Sequence, residues 1–258
     1  NAGAISPKGG PFINSAEGRT YPLFNPALSR VPVPSDIQLD QVASDGTFSD
    51  APVGSTNPVQ LALGKISGAS LIAPIDIALN GAIDPASVNA NFLTPGLQPN
   101  PQQNVFLIEL AYPSGDPIQG LLEAETPTIP FALTLAAAAQ ASTPAISALS
   151  AEASKPSYVA NVIDQGGVPF LRIQPTKPLK PKTRYLVVVT DSILDAQGQP
   201  LIQDPAYQNI TDETLELPSS ALVGVRDIVN DFWEVTAETY LKRATNATRT
   251  AVGLPALI

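Results

Sequence analysis

Proline occurs so often along this chain that it favours short elements over long helices or long strands. The sequence contains 27 prolines and 17 glycines, scattered along its 258 residues. Proline fixes φ and offers no N–H to a helix or to a sheet ladder. We therefore predict a β-rich fold in which short strands are joined by long connections.

The clearest strand pattern lies in residues 168–201, VPFLRIQPTKPLKPKTRYLVVVTDSILDAQGQPL. A first apolar run ends at Pro175, and a second run over residues 184–190 is rich in β-branched and aromatic residues. Further prolines occupy the connection between the two runs. Residues 195–198, DAQG, have the aspartate and the glycine that a turn with a positive φ requires. This segment predicts two strands joined by a proline-rich corner, the second of them buried, followed by a turn.

Two earlier segments predict further strands. Apolar residues alternate over residues 75–79 and are followed by the tight-turn signal Asn80-Gly81 and by the turn sequence DPAS at residues 84–87. Residues 105–112, VFLIELAY, are almost continuously apolar, which predicts a strand buried on both faces. Near residues 118–154 the composition shifts to alanine, threonine and leucine, and we expect short helices inserted between strands.

The first 56 residues are rich in proline, glycine, serine and aspartate. They predict an extended arm with little regular structure, which packs on a neighbouring element through four apolar residues: Phe24, Leu28, Val31 and Leu39. Residues 57–68, which follow the arm, predict a short helix or a turn.

The C-terminal segment carries the clearest helix pattern. Pro218 and Ser219-Ser220 provide a breaker and a cap, and Glu238 precedes Lys242 by four residues. The apolar residues that recur at helical spacings are Leu222, Val225, Val229, Phe232, Trp233 and Tyr240. We predict a helix that ends near residues 244–249, because glycine and proline follow shortly afterwards.

Charge and composition restrict the possible functions. The formal net charge is −9, from 14 basic and 23 acidic residues, so the long-range field repels nucleic acid and anionic lipid surfaces. No apolar run is long enough to span a bilayer. The sequence has no cysteine and no histidine, which excludes thiolate chemistry and removes the usual base of a serine hydrolase and the usual zinc ligand. We expect no nucleic-acid partner, no transmembrane segment and no cofactor.

Serines and carboxylates are the remaining candidates for catalysis. The sequence GKISG at residues 64–68 has the wrong spacing for the G-x-S-x-G of an α/β-hydrolase, so Ser67 and Ser70 are interpreted as loop residues. Two carboxylate pairs are also close in sequence: Asp191 with Asp195, and Glu123 with Glu125. We identify no catalytic residue among these groups.

Asp191 and Asp195 are also candidate calcium ligands, since carboxylates bind Ca²⁺. They flank the turn that follows the second predicted strand, where aspartate commonly bonds to its own backbone. A turn-forming role is therefore the alternative interpretation.

Phe232 and Trp233 are candidates for a surface that faces a partner or a lipid, because the predicted helix carries large apolar residues on more than one side. The alternative is that the helix is clamped in the core, with both rings buried. The contacts of the two rings distinguish these interpretations.

Four stretches, taken in order, resemble a known family: residues 21–39, YPLFNPALSRVPVPSDIQL; residues 73–88, APIDIALNGAIDPASV; residues 171–201; and the tryptophan-containing helix with its exit TRTAVGLP. The family is the virulence factor lipases, the Pla-1/cef group of bacterial extracellular lipases. The order L-x-I-x-P, L-x-P-x-T-x-Y-x-V, D-x-x-G-x-P also resembles the closing strands of bacterial immunoglobulin-like domains. Together these stretches span nearly the whole chain.

The resemblance implies a mainly β fold with a C-terminal α-helix. An extended arm at residues 1–56 would precede an immunoglobulin-like β-sandwich at residues 57–205, with the alanine-rich helical insertion near residues 118–154. A C-terminal helical segment at residues 206–258 would then lead to an α/β-hydrolase domain that is absent from this sequence.

For function, the resemblance implies a parent protein that hydrolyses lipid esters and is secreted or held at the outer-membrane surface of a bacterium as a lipoprotein. No catalytic residue of the hydrolase domain and no lipid-anchoring cysteine maps onto this sequence. The chain is expected to be a non-catalytic N-terminal module that supports the hydrolase domain or its access to lipid. The alternative is a cell-surface binding or adhesin module.

Overall fold

The computed structural model describes residues 18–35, 37, 56–63, 68–91, 100, 102–117, 125 and 157–242. Most of the alanine-rich segment near 118–154, the predicted helix end near 244–249 and the arm residue Leu39 lie outside the described residues. Where the chain is described, it is mainly β, with two small antiparallel sheets and a C-terminal helix.

The elements are numbered in chain order. The strands are β1 (Ile75–Ala78), β2 (Val105–Leu110), β3 (Tyr158–Gln165), β4 (Val168–Pro175) and β5 (Arg184–Val189). The helices are α1 (Pro58–Leu63), α2 (Pro205–Thr211) and α3, which begins as Val223–Asp227, passes through a π-helical segment, Ile228–Glu234, and continues to residue 242. Short 3₁₀ turns form at Pro26–Leu28, Pro85–Ser87 and Ser220–Leu222.

The first sheet has the order β1-β4-β3. β3 and β4 form a hairpin whose last strand pair is Gln165 with Val168. Its two-residue loop is Gly166-Gly167, with φ values of 65° and 86°. A two-residue hairpin loop of type I′ needs positive φ at both positions, which glycine adopts without strain. This glycine pair therefore sets the register of the two longest strands.

The second sheet contains only β2 and β5, which pair from Val105 opposite Val189 to Leu110 opposite Arg184. The sequence correctly predicts β4 and β5 as strands on either side of a proline-rich corner. The structure adds that the two strands belong to different sheets, because the corner carries the chain from the first sheet to the second.

One hydrophobic cluster takes residues from both sheets, and we call it the first core cluster. Its fully buried members include Val105 from β2 and Leu171 and Ile173 from β4, all with 0% exposure. A second core cluster takes the alternate side chains of β2, including Ile108 and Leu110, together with residues of α3. Because successive side chains of a strand point to opposite faces, β2 is buried on both faces, as its apolar sequence predicts.

The C-terminal helix forms where the sequence predicts it. The Ser219 side chain accepts a hydrogen bond from the N–H of Ala221, and Lys242 lies 2.7 Å from Glu238. The apolar residues of the helix divide between two groups of neighbours. Tyr240 joins the second core cluster, whereas Val229, with 0% exposure, joins a third cluster formed with α2 and the arm.

Helix α2 ends against α3 in a way that satisfies its terminal carbonyls. Arg226 donates through Nε to the carbonyl of Ile210 at 2.8 Å, and through Nη2 to the carbonyls of Asn209 and Leu215, each at 3.0 Å. Asn230 donates to the carbonyl of Thr211 at 3.1 Å. The last carbonyls of a helix have no partner within the helix, so two side chains of α3 supply the missing donors.

The arm follows its prediction in part. Phe24 is buried and belongs to the third core cluster, and Val31 packs against that cluster. The predicted contact of Leu28 is wrong, because Leu28 is 62% exposed. It is the last residue of the Pro26–Leu28 turn, which closes through the hydrogen-bonded pair Asn25 and Arg30 and turns this side chain outward.

The remaining predictions concern short elements. The DPAS sequence forms the Pro85–Ser87 turn, in which Asp84 accepts a hydrogen bond from the N–H of Ala86. The segment predicted as a short helix or a turn contains the short helix α1. None of the described helices is both long enough and apolar enough to cross a bilayer.

The substitution Arg226→Leu tests the junction between α2 and α3. It removes the donor of three carbonyls, and we expect the free energy of unfolding to fall by about 2–3 kcal/mol. The control is Lys242→Met, which breaks an exposed ion pair and is expected to cost at most about 0.5 kcal/mol. Urea denaturation of both variants measures the difference, and equal losses would contradict the proposed role of Arg226.

Candidate functional site

A groove of about 560 Å³ lies where the N-terminal arm meets one end of the three-stranded sheet, and we call it the arm groove. Its lining residues come from the arm (Leu23, Arg30, Val31, Val33), from β1 and the turn after it (Asp76, Ala78, Leu79, Asn80), and from the β3–β4 hairpin (Gly167, Val168, Pro169, Phe170). It thus unites three segments that are far apart in the sequence.

The floor of the arm groove is apolar because of strand alternation. Ile77 and Leu171 face the first core cluster, so their neighbours Ala78 and Phe170, which pair with each other, lie on the opposite face of the sheet. Val168, at the edge of this floor, is 40% exposed. The outer face of the sheet therefore presents an accessible apolar surface next to the arm.

Of the charged residues around the arm groove, Asp76 forms an ion pair with Arg172, whereas Arg30 forms none with a described residue. Arg172 donates from Nε and Nη2 to the two carboxylate oxygens of Asp76, at 2.7 and 2.6 Å, and this pairing raises the pKa of Arg172. Arg30 is exposed, and its guanidinium makes no hydrogen bond or close ion pair with a described residue. Burial raises the pKa of the Asp204 carboxyl, and the charge of Arg30 acts on it in the opposite direction. Arg30 is thus a lining cation with no close ion pair among the described residues.

The arm is fixed to the body by polar side chains. Asn80 accepts a hydrogen bond from the N–H of Tyr21 at 2.7 Å and donates to the carbonyl of Arg19 at 3.0 Å. The two oxygens of Asp204 accept from the N–H of Phe24 at 2.9 Å and from the N–H of Ala206 at 2.7 Å. Asp204 therefore caps α2 and holds the arm with one carboxylate.

The structure places Phe232 and Trp233 in different internal contacts. The guanidinium carbon of Arg184 lies 4.2 Å from the centroid of the Phe232 ring, within the range of a cation–π contact. Trp233 packs edge-on against Phe24, with ring centroids 6.0 Å apart. Both rings are half-buried, so these contacts favour the clamped-helix interpretation for their inner surfaces. A partner- or lipid-facing role for their exposed parts stays a prediction.

Tyr207 and Glu234 form a hydrogen-bonded pair between α2 and α3, in which the phenol donates to the carboxylate. Burial is the main cause of a pKa of Tyr207 far above its usual range, and the Glu234 carboxylate raises it further. The phenol therefore stays protonated at neutral pH. It acts as a donor that ties the two helices together, not as a base or a nucleophile.

The carboxylates singled out in the sequence have separate environments. Asp195 is 1% exposed, and its Oδ1 accepts from the N–H groups of Gln197 and Gln199, as a turn-forming aspartate does. Its Oδ2 is buried and has no hydrogen-bond partner among the described residues. Asp191 is exposed. No group of three acidic, histidine or cysteine side chains gathers anywhere in the described part of the chain, so these aspartates lack a third acidic ligand there.

The other residues considered for catalysis are placed as follows. Glu125 accepts a hydrogen bond from Ser114 Oγ at 2.8 Å, and Glu123 lies outside the described residues. Ser70 is exposed, and its hydroxyl accepts from the N–H of Ile72, whereas Ser67 lies outside the described residues. Glu125 thus bonds to the turn at Ser114, and Ser70 bonds within its own turn.

No family model, no curated protein and no solved structure matches this chain. The arm groove and the double role of Asp204 are the features that sequence reasoning missed. Both depend on contacts between residues about 50 to 180 positions apart, such as Phe24 with Asp204. The sequence signal that could have indicated them is the alternation of apolar and polar residues in β1 and β4, which leaves Phe170 on the face opposite the core.

The substitutions Asp204→Ala and Asp204→Asn test the carboxylate that holds the arm. We expect Asp204→Ala to lower the free energy of unfolding by about 1–3 kcal/mol, because two N–H groups lose their acceptor. Burial raises the pKa of Asp204 above its ordinary value of 3.8. The stability that follows from this shift is fully present below pH 3.8 and is lost as the pH rises through the raised pKa.

The loss of unfolding free energy caused by either substitution should therefore be larger at acid pH than at neutral pH. Urea denaturation of the wild type and both variants, from acid to neutral pH, measures the free energy of unfolding. Because the other titrating groups are the same in all three proteins, their contribution cancels in the difference. Asp204→Asn keeps the shape and isolates ionisation. A loss that grows as the pH rises would show that the hydrogen bonds outweigh burial.

The substitution Phe24→Ala tests the third core cluster. Trp233 is the one tryptophan in the sequence, so tryptophan emission comes from this side chain alone and reports on its surroundings. We expect a red-shifted emission and a loss of about 3 kcal/mol, because a buried aromatic ring is removed. The matched control is Leu28→Ala on the exposed part of the arm, which should change neither quantity. Phosphatidylcholine vesicles should not shift the wild-type emission; a blue shift would contradict the internal placement and favour a lipid-facing ring.

Proposed function

We propose that this chain is a non-catalytic module of a secreted or surface-anchored bacterial lipase, in which it supports an α/β-hydrolase domain or its access to lipid. The observation that carries the proposal is that the stretches resembling this lipase family contact one another. Leu23 donates its N–H to the carbonyl of Ala78 at 2.7 Å, and Asp84 donates to the carbonyl of Leu194 at 2.8 Å. Stretches that are far apart in the sequence are thus joined by backbone hydrogen bonds.

The proposed fold of this module is an immunoglobulin-like β-sandwich with the two sheets as its layers. Three observations support it. The first core cluster draws on both sheets, and the chain passes from β4 in one sheet directly to β5 in the other. In addition, Tyr158 of β3 donates its hydroxyl to the carbonyl of Val105 in β2 at 3.0 Å, which links the sheets by a polar contact.

The non-catalytic role is supported by the chemistry of the side chains. The sequence contains neither histidine nor cysteine, the residues that most often activate or act as a nucleophile in hydrolases. Among the described residues, Tyr207 is held protonated by burial and Glu234, and Asp195 is engaged by its own turn. In this proposal the ester chemistry belongs to the hydrolase domain.

A cell-surface binding or adhesin module is the second candidate. It is favoured by the outer edge of β3, since no described strand lies along that side of the first sheet. An open strand edge can pair with an extended segment of another protein. This candidate differs from the first in requiring no hydrolase domain.

The test is hydrolysis of short- and long-chain nitrophenyl esters by this chain and by the complete product of its gene. We expect activity in the complete product only, because the chain itself lacks a nucleophile–base pair. The control is the complete product with the serine of its G-x-S-x-G motif replaced by alanine. Activity in this chain alone would contradict the non-catalytic role, and inactivity of the complete product would contradict the lipase proposal in favour of the binding module.

A further inference from the structure

We propose that the arm groove binds a single-chain lipid with an anionic head, a long-chain fatty acid, with its carboxylate beside Arg30 and its hydrocarbon along Val31, Val168 and Phe170. This site belongs to the described chain itself. The proposal therefore goes beyond an accessory role and does not depend on a hydrolase domain.

The size and the lining of the groove favour a slender apolar ligand. Its volume of about 560 Å³ lies within the usual range for small-molecule sites. The side chains along its length are mostly aliphatic or aromatic, and Val33 and Val168 on its two walls are 55% and 40% exposed. Exposed apolar groups that line one groove gain free energy when a hydrocarbon displaces water from them.

The charges select the head group. Asp76 is neutralised by its bidentate pair with Arg172, which leaves Arg30 as the lining cation without a close counter-ion among the described residues. The buried carboxylate of Asp204 also interacts electrostatically with Arg30. It already accepts hydrogen bonds from the N–H groups of Phe24 and Ala206. A single negative charge on the ligand therefore complements the groove.

The net charge of the protein excludes more highly charged ligands. At −9 the long-range field opposes the approach of any anion, and the opposition grows with the charge of the ligand. A polyphosphate has no apolar part with which to compensate, and a nucleic acid carries one charge for every nucleotide. A fatty acid has one charge and a long apolar chain, so short-range burial of the chain outweighs the repulsion.

The groove is also preorganised. The arm lines the groove and is held to the body by three hydrogen bonds, two with Asn80 and one with Asp204. A Cβ added at Gly81 would lie 2.9 Å from Thr20 Oγ1, which shows how closely the arm is seated on the turn after β1. A wall that is already ordered does not lose conformational entropy when the ligand binds.

The experiment is displacement of a fluorescent fatty acid, dansyl-undecanoic acid, from the purified chain by unlabelled fatty acids of increasing length below their critical micelle concentrations. We expect saturable binding whose affinity rises about fourfold per added methylene and then levels off once the groove is full. Affinity that keeps rising without a plateau, or the absence of saturable binding, would overturn the proposal.

Two pairs of variants locate the ligand. Arg30→Gln should lower the affinity for the fatty acid about two- to fivefold and leave the affinity for the alkanol of equal length unchanged. Its control is Lys177→Gln, at an exposed lysine outside the groove, which should change neither affinity. Val168→Glu should lower the affinity for both ligands at least about tenfold. Its control, Val59→Glu on the exposed surface of α1, should lower neither affinity. Equal effects within either pair would overturn the assignment to the arm groove, whatever the outcome of the ester assay.

Discussion

The structure depends on one constraint: the two-stranded sheet of β2 and β5 must be covered on both faces. A two-stranded ladder is marginal by itself, and both of these strands carry apolar residues at nearly every position. One face gives Val105 and Val189 to the contacts with the first sheet, and the other gives Ile108 and Val188 to the contacts with α3. The first sheet alone would leave half of this apolar surface in water, so the helix is part of the core.

The covering helix has to accommodate a charge. Arg184 begins β5 opposite Leu110 and is 9% exposed, so burial would be costly if its guanidinium lacked partners. It donates to the hydroxyl of Tyr112 at 3.0 Å and lies over the ring of Phe232. This explains why neighbouring positions of α3 carry two large rings: Phe232 receives the charge on the sheet side, and Trp233 reaches Phe24 on the other side.

Local patterns in the sequence predict most of the elements, because they reflect short-range chemistry. Alternation predicts β1, near-continuous apolar character predicts the double burial of β2, and the proline corner predicts the break between β4 and β5. The assignment of β4 and β5 to different sheets does not follow from pattern, since pairing joins residues far apart in the chain. The same limit applies to the arm groove: Arg30 is an ordinary exposed arginine in the sequence, and only the seating of the arm brings it to the outer face of the sheet.

The arm connects the groove to the C-terminal helix by direct contacts. Phe24 packs on Trp233 through its ring and bonds to Asp204 through its N–H, while its neighbour Leu23 forms part of the groove wall. Trp233 of α3, Phe24 and the groove residue Leu23 thus form one continuous series of contacts and chain neighbours. If a partner docks on α3 and changes the affinity of the groove, the groove ligand must change the affinity of that partner by the same factor.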